Sequence, residues 1–264
     1  MNARGGPADP YAGAAEGWAT GARRVYEPLA ADLVARAPHA LAGRLVLDAG
    51  AGTGFGSASL AAVGARTVAM DRSADMLSWE RASRPPSVVG DVVELPFADG
   101  VVDDVLAGFV LNHLADPVAG LGELARVTRP RGALLASVFS NDSHSAARDR
   151  VDAAACSHGF GVPDWYVELK ATATDLLGTA ADVADAASAS GWAAVDVVEN
   201  SVDVGVRTPA DLVDYRLGQA QFSDWLASLS AERRRSVRQS LIETVTPLDD
   251  PYRPIVISLV ALRR

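Results

Sequence analysis

The sequence predicts an α/β protein built on a doubly wound, mostly parallel sheet. Short apolar runs alternate with helical stretches through the first 140 residues, the order that right-handed βαβ units require. The first of these runs enters three glycines at alternate positions, Gly50, Gly52 and Gly54. Two further apolar runs follow a long break in that rhythm and fit a hairpin at the sheet edge.

Residues 1–10 are rich in Gly and Pro and predict a loose segment. Val25, Leu29, Leu33 and Val34 recur at helical spacing and predict a helix over 18–37, ended by Pro38 and Gly43. The run 44–49 (RLVLDA) is apolar without alternation, as a strand buried on both faces must be. A helix over 55–63 stops at Gly64, and strand 66–71 ends in an acid. Ser73 caps the next helix, which contains Met76, Leu77 and Trp79. Strands are expected at 87–90 and 101–111. Asp116 then caps a helix with Pro117 at its first position, running to about Val127. After a turn at 130–132 comes a fifth strand, 133–139.

From 141 to 179 the sequence is polar, spotted with aromatics and irregular. A helix over 179–190 stops at Gly191, and 192–199 alternates like a strand. Thr208 and Pro209 open a helix to about Phe222, another spans 230–245, and 253–262 is a last strand. The expected organisation is an N-terminal helical lid (1–40), a cofactor-binding core (41–140), a cap insertion (141–180), and the end of the core (181–264) with a helical cap insertion at about 205–248.

The 264 residues are 49 % hydrophobic and 22 % charged, a globular balance. Net charge is −9, and only Lys170 among 24 basic residues is a lysine. Neither a nucleic-acid backbone nor an anionic membrane is an expected partner, because both need a positive face. One cysteine, Cys156, excludes internal disulfides and a thiolate zinc cluster. No run of 18 apolar residues and no signal-like N-terminus is visible, so a cytoplasmic monomer or homodimer is expected.

The glycine loop, DAGAGTGFG, lies between a strand and a helix. Glycine permits the tight turn and lets a ligand touch bare backbone, while the first helical N–H groups face that ligand. A dinucleotide fingerprint needs its third glycine three past the second, where this chain has Phe55. Asp48 would repel a pyrophosphate but suits an ammonium or sulfonium. Asp71 ends the second strand, where an acid accepts hydrogen bonds from ribose hydroxyls. Asp91, in GDVVELPF, can accept from an adenine amino group while a neighbouring N–H donates to the ring.

Together LDAGAGTG, Asp71, GDVVELPF and ARVTRPRGALL resemble the class I S-adenosylmethionine-dependent methyltransferases, over roughly 45–139, about a third of the chain. Arg131-Gly132, where Pro-Gly-Gly is usual after the basic residue, departs mildly from the pattern. The resemblance implies a Rossmann-like sheet of seven strands with an antiparallel last strand. It also implies S-adenosylmethionine held by Asp48, Gly50, Ala51, Gly52, Gly54, Asp71, Arg72, Met76, Asp91, Val92 and Asn112. Val92 would supply the adenine N–H, and Gly50 a backbone contact to the amino group.

Methyl transfer chiefly demands alignment, with a base only for acceptors that must lose a proton. His113 and His144 are candidate bases; each has a purely structural alternative, at a strand–helix corner and in an exposed loop. His39 and His158 read as surface residues. No histidine–acid grouping has ligand spacing, so no metal is expected. Trp165, Tyr166, Tyr215, Gln219 and Phe222 either line a partly apolar acceptor pocket or dock the cap on the sheet. Tyr11, Trp18 and Tyr26 either close a lid over the cofactor, with Tyr11 and Trp18 also reaching the acceptor, or pack the first helix. Arg207 and Arg216 either bind an acceptor carboxylate or pair with Asp203, Asp211 or Asp214. The expected activity is methyl transfer to O, N or C of a small metabolite. A nicotinamide-dependent oxidoreductase and a binder whose cofactor is structural or serves another reaction are the alternatives.

Overall fold

The computed structural model describes residues 9–246 and 252–264, so the loose segment expected at 1–10 lies outside them except for Asp9 and Pro10. Among the described residues seven strands form one sheet: β1 Leu45–Ala49, β2 Arg66–Asp71, β3 Ser87–Val89, β4 Asp104–Gly108, β5 Ala133–Phe139, β6 Trp192–Ser201 and β7 Ile255–Arg263. Their order is β3-β2-β1-β4-β5-β7-β6. The first five pair in parallel, while β7 runs antiparallel to β5 and β6. The chain winds outward from β1 to β3, then returns to β4 on the other side. The two windings part between β1 and β4, and it is over the carboxyl ends of such neighbours that a crevice opens.

The helices are α1 Arg23–Ala35, α2 Phe55–Ala62, α3 Ala74–Ser78, α4 Pro117–Val127, α5 Ala146–Ser157, α6 Asp164–Thr172, α7 Ala180–Ala189, α8 Pro209–Leu217, α9 Ser223–Ser228 and α10 Ala231–Val245. On one sheet face Leu33, Val34 and Leu60 of α1 and α2 pack on Val46, Leu106, Leu135 and Val260. On the other, Leu121, Leu124, Val127 and Val183 of α4 and α7 pack on Leu47, Val105, Leu134 and Leu259. Consecutive strand residues thus serve opposite layers, which is why these strands are apolar without alternation. Burying each Leu contributes about 1.5–3 kcal/mol. Trp192 is fully buried against the second layer and donates through Nε1 to the Leu121 carbonyl at 3.0 Å.

The caps form as their residue types dictate. Ser73 accepts from the Met76 N–H, and Asp116 from the Ala119 N–H. Thr179 and Thr208 each form a reciprocal box with the aspartate three residues on. A third core joins α5, α8 and α10 to α1 through Val151, Val213, Val237 and Val25.

Three elements differ from the expectation. Strand β4 is shorter than the run 101–111: Val102 makes only an isolated bridge to Thr128, and Phe109 turns out of strand geometry at φ +57°. The insertion 141–179 is helical; α5 buries Ala147, Val151 and Ala155 along one face, a stripe hidden by alanine's weak hydrophobicity. The helix expected over 209–222 stops at Leu217, because Gly218 crosses the π-turn Trp18–Ala22 backbone to backbone. A Cβ there would fall 2.5 Å from the Gly17 carbonyl oxygen.

Candidate active site

A cavity of about 470 Å³ opens over the carboxyl ends of β1, β2 and β4. Its floor is the glycine loop. The Gly50 and Ala51 N–H groups both donate to the Met70 carbonyl, at 2.8 and 2.9 Å, which folds the loop back against β2. Gly50 sits at φ +72°, and a Cβ would lie 2.6 Å from Val110, so the turn admits only glycine. Asp71 binds the loop from the side: Oδ2 accepts from Gly52 N–H at 2.8 Å and Oδ1 from Ser73 N–H at 2.9 Å. Burial raises its pKa above the usual carboxylate value.

Asp48 lies beneath the loop, 3 % exposed, and accepts from Ser57 Oγ at 2.6 Å. Burial pushes its carboxyl up to about 6, against the lowering influence of Ser57 and Arg84. A buried acid in that condition favours a cation arriving beside it. At the wall after β3, Asp91 accepts from Val93 N–H at 3.1 Å. The buried Val92 N–H next to it donates to no acceptor among the described residues. A cradle that only glycine fits, a buried acid and a free N–H beside a second acid match the donor and acceptor set of an adenosyl sulfonium amino acid.

The roof comes from the N-terminal segment. Tyr11 Oη lies 3.0 Å from His113 Nδ1. Trp18 stacks on Tyr26 with centroids 4.8 Å apart, and Trp165 of α6 approaches Tyr11 at 6.1 Å. The segment is held down by Ser73 Oγ donating to Asp9 at 2.7 Å and Gly13 N–H donating to Asp75 at 2.9 Å. Burial lowers the His113 pKa to about 4, keeping the imidazole neutral, and raises that of the Tyr11 phenol.

Of the residues read as cofactor-binding, Asp48, Gly50, Ala51, Gly52, Asp71, Arg72, Met76, Asp91 and Val92 line the cavity. Gly54 and Asn112 do not: Gly54 backs onto the Arg84 guanidinium, and the Asn112 Oδ1 is buried without a partner. His113, Tyr11, Trp18 and Trp165 line it, whereas Tyr166 stands beside Trp165 outside the wall. His144 is exposed on the loop after β5, away from the cavity. Tyr215, Gln219 and Phe222 are buried away from the cavity: Tyr215 of α8 and Phe222 of the turn after it pack into the core shared by α1, α5 and α10, and Gln219 between them bonds to Tyr215 and Arg216. Gln219 and Tyr215 touch the cavity only through Tyr26. Arg207 pairs with Asp203, and Arg216, 4 % exposed, pairs with Asp152 at 2.6 Å and with Gln219. Neither arginine is offered to a ligand.

Sequence reasoning missed Arg84, which reaches back to donate to the Gly52 and Met76 carbonyls at 2.8 and 3.0 Å. Nothing in RASRPP marks it. It also missed Phe109, Val110 and Ser137, although a lone serine in the apolar run ALLASVF was a visible anomaly.

Residues 47–136 match the family model described as a methyltransferase domain. Among curated proteins, a demethylmenaquinone methyltransferase of Mycolicibacterium paratuberculosis is 40 % identical over 164 residues, covering 58 % of this chain and 69 % of that enzyme. Against mycobacterial enzymes of the same name the match narrows to 104 residues at 48 % identity, covering 39 % of this chain and 45 % of theirs. Among solved structures, a chain of the Haloferax volcanii complex between the Trm112 methyltransferase activator and a methyltransferase aligns with TM-score 0.61 at 21 % identity, covering 97 % of both chains. A Haemonchus contortus phosphoethanolamine N-methyltransferase, solved with phosphomonomethylethanolamine and S-adenosylhomocysteine, aligns with TM-score 0.56 at 18 % identity, covering 89 % of this chain and 52 % of that one. These two likenesses show the fold. No helix among the described residues is long and apolar enough to cross a membrane.

Proposed function

Given that the chain belongs to the class I S-adenosylmethionine-dependent methyltransferases, we propose that its crevice holds S-adenosylmethionine for methyl transfer to O, N or C of a small organic acceptor in the cytoplasm. The observation that carries this reading is one cavity lined by the glycine cradle, Asp48, Asp71 and the Asp91–Val92 pair. When bound, the cofactor supplies a sulfonium methyl, already activated for in-line displacement.

The chain's own residues then bind, orient and exclude water. Asp48 and the Gly50 carbonyl receive the ammonium end. Asp71 takes the ribose hydroxyls while its two backbone bonds fix it to the loop and to α3. Asp91 and the Val92 N–H take the adenine edge. Gly54 and Arg84 act behind this surface, where the Arg84 guanidinium backs the loop and bonds the Gly52 carbonyl. Tyr11, Trp18 and Trp165 cover the mouth, and a dry, covered site strengthens each of these charge interactions.

His113 is the group placed to handle a proton. Its ring is neutral above pH 4 and oriented by Tyr11, so it can accept a proton from an acceptor hydroxyl as that oxygen attacks. An acceptor needing no deprotonation leaves it a positioning role.

Isothermal titration with S-adenosylhomocysteine tests the proposal. Binding with one site per chain is expected, and no heat at saturating concentration overturns it. Family membership sets the nicotinamide alternative aside. Turnover to S-adenosylhomocysteine with an acceptor separates the transferase from a binder whose cofactor is only structural.

A further inference from the structure

Ser137 is the one polar side chain that β5 turns toward the α1 face, and it is 3 % exposed. Its Oγ is buried and has no hydrogen-bond partner among the described residues. A buried hydroxyl left unpaired works against the folded state until something bonds it. It lines the crevice, paired in register with Gly108 of β4. A Cβ on Gly108 would lie 3.9 Å from Ser137 Oγ and 4.0 Å from Leu33 Cδ2, so the absent side chain keeps open a lobe between β4, β5 and α1.

The lobe's walls are Ala30, Leu33 and Leu106, with the rings of Tyr26 and Phe109 meeting edge to face at 5.3 Å beside it. None of these side chains is charged. Among the described residues the crevice is lined by Asp48, Asp71, Asp91 and Glu168 against Arg72, with Arg84 and Lys170 near enough to act on Asp48, Asp71 and His113. The acids outnumber these cations, and none of the cations lines the lobe, so an anionic acceptor finds no counter-charge there. A cation seated in the lobe would lose its water without a counter-charge of its own, since Asp48, the acid nearest on that sheet face, is bonded to Ser57 and faces the cofactor end. A flat, neutral molecule with one oxygen at its edge satisfies the walls and the orphaned hydroxyl together.

We infer that Ser137 and Gly108 form the acceptor subsite, which takes a neutral oxygen-bearing ring and anchors its oxygen on Ser137 Oγ. This rests on the methyltransferase reading of the same crevice. The test is a ligand-observed NMR titration of the full chain, with S-adenosylhomocysteine present, using four probes of one shape: p-cresol, toluene, p-toluate and 4-methylbenzylamine. The wild type is expected to prefer p-cresol over toluene by about fivefold, the scale of one neutral hydrogen bond, and to bind the two charged probes more weakly than toluene. Ser137→Ala should abolish the preference while toluene still binds. Gly108→Val should fill the lobe and weaken p-cresol and toluene alike. Stronger binding of either charged probe, equal binding of p-cresol and toluene by the wild type, or an undiminished preference in Ser137→Ala overturns the inference. Heat of S-adenosylhomocysteine binding, measured on the same samples, reports separately on the methyltransferase reading. If it is absent, that reading fails; if it is present and the probe pattern is wrong, only the subsite fails.

Discussion

Asp71 and Asp48 both stand at the glycine loop, yet their environments give them different work. Asp71 already accepts two backbone N–H bonds, so replacing it removes a ribose acceptor and a brace together. Asp71→Ala should weaken S-adenosylhomocysteine binding by about 1–3 kcal/mol; calorimetric affinity equal to wild type would remove it from the site. Asp48 titrates near 6. Since an ammonium prefers the ionised carboxylate, cofactor affinity should rise between pH 5 and 7, and calorimetry on Asp48→Asn should show that rise flattened. His113 and Asp48 also drive stability in opposite directions. His113 falls from 6.5 to about 4 on folding, so its contribution is complete above pH 6.5 and lost as pH falls to 4, a span worth roughly 3 kcal/mol. Asp48 rises from 3.8 to about 6, so its penalty is absent below pH 3.8 and grows as pH rises to 6. Urea midpoints of the ligand-free protein should therefore change little over this window, and His113→Gln should expose a fall in stability with rising pH.

At the scale of elements, the segment after β3 is held by a helix that contributes no residue to the cavity wall. Glu123 of α4 accepts from the Leu95 N–H at 2.9 Å, and Arg126 donates to the Leu95 and Phe97 carbonyls at 3.0 and 2.8 Å. Arg126→Ala should loosen the segment carrying Asp91 and Val92 and lower cofactor affinity severalfold, read by calorimetry, with the fold kept as read by circular dichroism. The sequence made β1, β2, β5 and α4 legible because apolar runs, glycines and caps are local signals. The α5–α6 insertion was not, since its buried stripe is alanine and valine spaced among arginines and aspartates. The glycine-loop side of the candidate site was legible for the same reason: Gly50 and Val92 follow strand ends and Asp71 closes one, and all three line the crevice. The acceptor half was not. Which face of α8 meets the crevice depends on the crossing of Gly218 over Gly17 and Gly21, a contact between segments two hundred residues apart. That crossing buries Tyr215 in the cap core and leaves Tyr26 on the wall.

Across the whole molecule, the crevice is closed by the segment 9–22, tied to α3 through Asp9 and Asp75 and to the sheet side through Tyr11 and His113. Its far end is anchored by the crossing of Gly17 and Gly21 under Gly218, so the part around Tyr11, held by these bonds, is the part able to open at low free energy. Hydrogen exchange in the stretch 11–22 should slow on adding S-adenosylhomocysteine, more than in α10, which lies across the cap. Equal slowing in both would mean general stabilisation rather than closure.

Strand β7 follows β6 in the chain but lies inside it in the sheet, its flanks zipped along β5 from Ala133 to Phe139 and along β6 from Trp192 to Ser201. β6 therefore has no neighbour until residues 255–263 have threaded into place. During synthesis some sixty residues must wait, partly assembled, for the piece that bolts them on, and a nonsense codon between β6 and β7 would unseat two strands instead of one.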